Sequence, residues 1–380
     1  MLIKNANIYR NQTNTFEMGD VRVSDGIITD VGFLKENNNE QVFDAQGKPL
    51  VAGLIDVHTH GRAGYDFVNI PADKLALVLK SYAEHGVTSV MPTIASAPLE
   101  EMKAAVSRIN EHSTGYGEAN ICGVHLEGRY LNVKRRGAHA ESLISPPCAD
   151  ELEDEVFRMC RALHITAAFE LDESGDFARK ALEIGATLGI GHTEATYEQS
   201  VRAEQMGVTS YTHLFNVMPS LHHRQGGPIC AALMGKSYAE LICDGIHISA
   251  PVISFAFSAL TSKRTVLISD SMEATGEADG EYSIAGNPVK VSDGIARTLD
   301  GALAGSTLTL DAAVRNLMQF CNIPLEVAIP CATENPAREI GVFDEVGSID
   351  IGKRADMLIL SDTNSFDIEK IMINGRFISK

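Results

Sequence analysis

His58 and His60 sit two residues apart at the end of an apolar run, Val51-Ala52-Gly53-Leu54-Ile55-Asp56-Val57-His58-Thr59-His60-Gly61. In an extended strand, residues i and i+2 share a face, so both imidazoles can point at one atom. Two neutral imidazoles aimed at one point suit a borderline divalent metal. The plain alternative is two histidines at a strand end that meet only water. Similar apolar runs elsewhere carry further groups able to do chemistry: Glu127, His192, His213 and Asp270. Paired metals need a bridging anion. A lysine ending the fourth run, modified to a carbamate, is one solution, but residues 165–171 contain no lysine. Glu127 is then the anionic ligand, and Asp270 is better suited to moving a proton. A carboxylate beside a metal-bound water takes its proton as the water attacks, then returns it to a leaving group. Hydrolysis of an amide-like bond is the natural reaction class. A helix-capping role for Asp270 and a salt-bridge role for Glu127 are the structural alternatives.

The elements that must position these groups repeat along the chain. Eight apolar, strand-like runs cover residues 54–60, 87–95, 121–128, 165–171, 188–193, 210–216, 240–247 and 265–271. Amphipathic, helix-like segments lie between most of them, for example residues 72–85, 99–112, 150–163 and 197–206. Near-continuous apolar strands alternating with helices imply a parallel sheet covered on both faces. Eight such units predict an α/β fold, a (β/α)8 barrel of the TIM type, with its active site at the C-terminal ends of the strands. The candidate ligands all fall at such ends. Residues 1–50 and 343–380 read as short strands and turns, with Asp25-Gly26 and Asn374-Gly375 as hairpin signals. They predict a small β-sandwich domain built from both ends of the chain, flanking a catalytic barrel over residues 51–342. Residues 273–305 read as a β insertion, a hairpin near the active-site mouth.

Composition narrows the function classes. A length of 380 residues accommodates one barrel and a small domain. The formal net charge of −18 argues against nucleic acid or an anionic membrane as partner. It leaves open a small anionic substrate in a locally positive pocket. The seven cysteines are scattered, with no Cys-x-x-Cys pair, and read as free thiols of a cytoplasmic protein. No basic stretch followed by an apolar core opens the chain, so no secretory leader is expected, and no apolar run is long enough to span a bilayer.

The motifs HTHG at 58–61, HLEG at 125–128, KRRGAH at 134–139, GHTEATY at 191–197, THLFNVMPSLHHR at 212–224, CDGIH at 243–247, ISDSMEATG at 268–276, LAGSTLTLDAAVRNL at 303–317 and ATENPAREIG at 332–341 carry a family resemblance. The chain resembles the amidohydrolase superfamily and, within it, the N-acetylglucosamine-6-phosphate deacetylase family. The resemblance implies Glu127, His192 and His213 as metal ligands, with His58 and His60 completing a fuller site. It implies Asp270 as catalytic acid/base and His139 near the scissile acetamide carbonyl. Asn216 and Val217 match a loop that contacts the sugar, and His247 and Arg224 match groups that hold the substrate. Arg224 would bind its phosphate across a homodimer interface. The implied cofactor is one or two divalent transition metals per subunit, zinc first, with iron, manganese or cobalt also compatible. The implied reaction gives glucosamine 6-phosphate and acetate in amino-sugar catabolism. The family usually has proline where Arg129 stands, and Lys134-Arg135-Arg136 adds positive charge nearby. Gln225-Gly226-Gly227 also departs from the family pattern. These changes keep N-acetylgalactosamine 6-phosphate, or another acylated amino sugar, in view as the substrate. A different amidohydrolase activity would call for the strand-four lysine or a neutral residue at Glu127. A catalytically dead homologue would lack Asp270 or a ligand.

Overall fold

The computed structural model describes residues 1–379. The barrel strands are β1 (Leu54–Thr59), β2 (Val87–Ala95), β3 (Val124–Glu127), β4 (Leu163–Ala167), β5 (Thr187–Ile190), β6 (Ser210–Tyr211), β7 (Tyr238–Ile242) and β8 (Thr265–Ile268). Each pairs in parallel with the next, from β1 to β8. The seam between β8 and β1 is joined just beyond the strands. Asp270 N–H donates to the His58 carbonyl at 2.9 Å, and His60 N–H donates to the Ser271 carbonyl at 2.8 Å. Below them the Asp56 carboxylate accepts from the Ser269 backbone N–H and hydroxyl. Burial pushes the Asp56 carboxyl up to about 6 despite those donors.

Every residue of β1 and β2 is buried, as expected for strands covered by helices outside and side chains inside. Helices Leu75–Ala83, Leu99–Asn110, Tyr197–Gln205, Ala250–Arg264 and Leu310–Cys321 pack their apolar faces against this wall. The expected (β/α)8 barrel is therefore present, with shorter strands than the apolar runs imply. The stretch 210–216 forms a ladder only at Ser210–Tyr211, because His213, Phe215 and Val217 take left-handed φ values of 30°, 79° and 48°. The expected helix at 150–163 is a 3-10 turn, Ala149–Glu153, and one α turn, Glu155–Arg158.

Both ends of the chain build one β-domain. Strands Leu2–Arg10, Thr15–Ser24, Ile27–Gly32, Val42–Asp44, Pro49–Ala52, Met357–Leu360, Ile368–Ile373 and Arg376–Ile378 form a single eight-stranded sheet around its own apolar cluster. Pro49–Ala52 belongs to this sheet, and the first barrel strand follows at Leu54. Asp25-Gly26 and Asn374-Gly375 are its two-residue turns, each with φ positive at both positions. The domain meets the barrel at strand beginnings: Gly53 N–H bonds the Asp356 carbonyl, and Asn374 bonds Asn120. It therefore buttresses the end away from the strand C-termini. The insertion after β8 is a three-stranded antiparallel sheet, Gly280–Ile284, Asn287–Ser292 and Ile295–Thr298, one strand more than a hairpin. No two cysteines are bonded to each other. Among the described residues, no helix is long and apolar enough to cross a membrane.

Candidate active site

Glu127 is the last residue of β3, and its carboxylate sits between two groups of side chains. On one side, His213 Nε2 lies 2.8 Å and His192 Nε2 3.2 Å from Oε1. On the other, His60 Nε2 lies 3.1 Å from Oε2 and 3.2 Å from Asp270 Oδ1, and His58 Nε2 lies 3.6 Å from the same aspartate oxygen. All six residues are buried. Glu127–His192–His213 and His58–His60–Asp270 thus form two adjacent sets of three ligand atoms. His192, His213 and Asp270 each stand two residues past their strand, at left-handed φ values of 49°, 30° and 47°. Such backbone costs roughly 1–3 kcal/mol per residue and clusters at functional sites. Here it turns the side chains inward over the mouth.

The histidine hydrogen bonds sort the imidazoles into two kinds. His192 Nδ1 meets the Arg135 carbonyl at 2.8 Å, and a carbonyl only accepts, so this nitrogen carries the proton. His58 Nδ1 likewise faces Glu240 Oε2 at 2.9 Å. In their neutral form both rings therefore turn a bare Nε2 toward the cluster, the form that binds a metal. His58 Nε2 has no hydrogen-bond partner, which fits a ligand position. His139 is the reverse. Its Nδ1 accepts from Ser96 N–H at 3.3 Å and faces the Ser96 hydroxyl at 2.8 Å. That hydroxyl already accepts from Arg129 N–H, so its own hydrogen is free for the ring. His139 must then carry its proton on Nε2, which lies 3.6 Å from Glu127 Oε2, facing the site.

Electrostatics agree with a cation-seeking cluster. Burial opposes charge on His60, yet Asp270 and Glu127 outweigh it and raise its pKa to about 9. Burial likewise opposes charge on Glu127, but the surrounding imidazoles, His58 foremost, hold its carboxyl well below the usual range. Burial pushes His192 down to about 4, keeping it neutral. Carboxylates that draw protons onto neighbouring imidazoles also draw a divalent metal, which displaces those protons. The donor set of imidazole and carboxylate fits the metals named from the sequence.

A cavity of about 210 Å³ opens onto this cluster, lined also by Asn216, Val217, His139 and His247 and roofed by Ile284, Ala302 and Leu303 of the inserted region. His247 is held by Asp244, at 2.6 Å from Nδ1 and through the His247 backbone N–H. A larger cavity of about 840 Å³ lies at the hairpin turns of the terminal sheet and includes none of the clustered ligands. Arg224 is not in the cavity of its own chain. It is exposed, with Nη1 2.9 Å from His223 Nε2. Arg129 turns away from Glu127 into a two-pronged pair with Glu151, at 3.0 and 3.2 Å, and Arg135 pairs with Glu194. Ser96 and Glu240 were not singled out in the sequence, because a serine or acid that only orients another side chain leaves no motif; Asp244 lies within the CDGIH motif, but its role was not read there.

The amidohydrolase family profile matches residues 50–378. The chain is 35% identical over 333 residues to an N-acetylglucosamine-6-phosphate deacetylase of Vibrio furnissii, covering 87% of this chain and 82% of the relative. It is 33% identical over 362 residues to an N-acetylgalactosamine-6-phosphate deacetylase of Escherichia coli O157:H7, covering 94% of each. Its structure superposes with a TM-score of 0.89 on a mutant N-acetyl-D-glucosamine-6-phosphate deacetylase of Mycobacterium smegmatis in complex with N-acetyl-D-glucosamine-6-phosphate, at 28% identity over 99% of this chain and 98% of that one. The barrel, the two ligand sets at its mouth and these likenesses agree: the chain belongs to the amidohydrolase family.

Proposed function

We propose that the protein removes the acetyl group from N-acetylglucosamine 6-phosphate, giving glucosamine 6-phosphate and acetate, as a cytoplasmic enzyme of amino-sugar catabolism. The observation that carries this reading is the convergence of Glu127, His192, His213, His58, His60 and Asp270 at one barrel mouth. A divalent metal held there, zinc by first preference, supplies polarisation of the acetyl carbonyl and a more acidic attacking water. Asp270 accepts the water's proton and delivers it to the sugar nitrogen, so that the amine leaves neutral. The His139 Nε2–H donates to the carbonyl oxygen as negative charge develops there, a contribution of roughly 3 kcal/mol for a well-placed donor. Asn216 and Val217 border the sugar, and His247, oriented by Asp244, holds the substrate in the same cavity.

Arg224, exposed and outside its own cavity, is assigned to the phosphate of a substrate bound in the second subunit of a homodimer. Its planar fork suits a phosphate. Catalysis is assigned to residues 51–342 and support to residues 1–50 and 343–380.

The galacto epimer is the second reading, supported by the 33% identity to the galactosamine relative over 94% of each chain and by the departures from the family pattern at Arg129 and Gln225-Gly226-Gly227. Acetate release from a panel of N-acetylated hexosamines, with and without 6-phosphate, tests both. Fastest turnover of the gluco 6-phosphate supports the first reading, and fastest turnover of the galacto 6-phosphate the second. No acetate from any metal-loaded assay removes the deacetylase assignment.

A further inference from the structure

Below the active-site cluster, inside the barrel, three more ligand-type side chains face one another. They are His164 on β4, Glu240 on β7 and Glu339 at the end of helix Glu334–Glu339. Their ligand atoms lie within 4.8 Å of one another, and the residues are 0%, 0% and 2% exposed. Each is oriented so that one atom is left over. His164 Nδ1 is taken by the Thr187 hydroxyl at 2.8 Å, leaving Nε2 without a partner. Glu240 Oε2 accepts from His58 and from His213 N–H, leaving Oε1 without one. Neither Glu339 oxygen has a well-directed hydrogen bond, and the Ser210 hydroxyl lies beside that carboxylate. His125 stands next to this group but is not part of it, since Thr93 and Thr166 occupy both its ring nitrogens.

We propose that His164, Glu240 and Glu339 form a further divalent-cation site, separate from the catalytic ligands and buried in the barrel core. Buried polar atoms left without partners are costly in an apolar interior, and three of them converge here. Burial pushes His164 down to about 4, the neutral form that ligates. A proton shared between the glutamates joins two oxygens and leaves His164 Nε2 unmet. A cation engages all three donors at once. One imidazole and two carboxylates, with the Ser210 hydroxyl adjacent, suit a first-row divalent ion such as Zn²⁺ or Mn²⁺. One end of each side chain anchored and the other free is the arrangement expected around a bound metal. The ion would tie β4 and β7 to the C-terminal part of the chain. It would also steady Glu240, and through it His58.

The test counts metal. Full-length protein is loaded with Zn²⁺, freed of loose ion, and analysed for zinc per folded chain. Glu339→Gln and His164→Asn should each hold about one equivalent less than wild type, and their melting temperatures should respond less to chelator. A second measurement needs no variant. Brief dipicolinate treatment of wild type should abolish activity while about one equivalent of zinc stays with the folded chain, leaving only on unfolding. Folded variants with wild-type zinc content would overturn the site. So would wild type that loses all its zinc with its activity, and the cluster would then hold a proton or water.

Discussion

A histidine's hydrogen-bond partner decides what its other nitrogen can do, and this site uses both outcomes. When neutral, His58 and His192 present a lone pair, whereas His139 presents an N–H. Ser96→Ala removes one of the two donors that set the His139 tautomer. The lost hydrogen bond is worth about 1 kcal/mol, so kcat should fall several-fold to tenfold with KM and metal content nearly unchanged. Ser96→Thr, which keeps the hydroxyl, should recover most of the rate. A wild-type kcat for Ser96→Ala would mean the backbone N–H alone suffices. Asp270→Asn is nearly isosteric but cannot move a proton. Turnover should drop on the order of 10²- to 10⁴-fold while Glu127, His192 and His213 still bind metal. Near wild-type turnover would point to another base.

At the scale of elements, short strands and tight approaches hold these groups in place. Gly128 follows Glu127, and a Cβ there would stand 2.3 Å from the Ser96 backbone nitrogen. Gly128→Ala must push β3 away from the end of β2, moving Glu127 and Ser96 together. A melting temperature lower by several degrees, with loss of metal affinity, is expected. An unshifted variant would show that the two strand ends can part freely. Helix Leu310–Cys321 begins beside Asp311, which is paired with His85 at 3.2 Å and Arg315 at 2.8 Å. Burial opposes its charge, but His85, Thr309 and Arg315 outweigh burial and hold its carboxyl far below the usual range. A depressed folded pKa means stability that is full above the unfolded value near 4 and fades as pH falls through the folded one. Asp311→Asn should therefore cost roughly 1.5–3 kcal/mol at pH 7. Chemical denaturation across pH should show the gap to wild type narrowing below about pH 4.

At the scale of the whole molecule, a strongly acidic chain must still hold a phosphorylated sugar. Arg224 is too exposed to serve its own cavity, which is the motive for placing it in a partner's site. A charge-assisted hydrogen bond contributes about 1.5–3 kcal/mol, so Arg224→Ala should raise KM for the 6-phosphate sugar about tenfold or more. The unphosphorylated sugar should be barely affected. Equal losses on both would assign Arg224 a structural role. Mixing Arg224→Ala with Asp270→Asn protein should restore activity in hybrid dimers, where one site regains both residues. No recovery after verified subunit exchange would keep Arg224 with its own subunit.

The residues themselves determined much of this protein. Apolar runs ending in His58-Thr59-His60, Glu127, His192, His213 and Asp270 recur with the period of a βα unit; burial of such runs on both faces implies a parallel sheet, and eight units close it into a barrel. The Asp25-Gly26 and Asn374-Gly375 turns were legible because few dipeptides accept two positive φ values in succession. Only the tertiary structure decided where strands stop, since a left-handed residue such as His213 looks apolar-flanked and strand-like in sequence. It also decided that Arg129 faces Glu151 rather than the site, and that Ser96 and Glu240 orient His139 and His58. Those partners are separated by 22, 43 and 182 residues along the chain. Local pattern cannot encode contacts between residues so far apart, because only the folded chain brings them within hydrogen-bond distance.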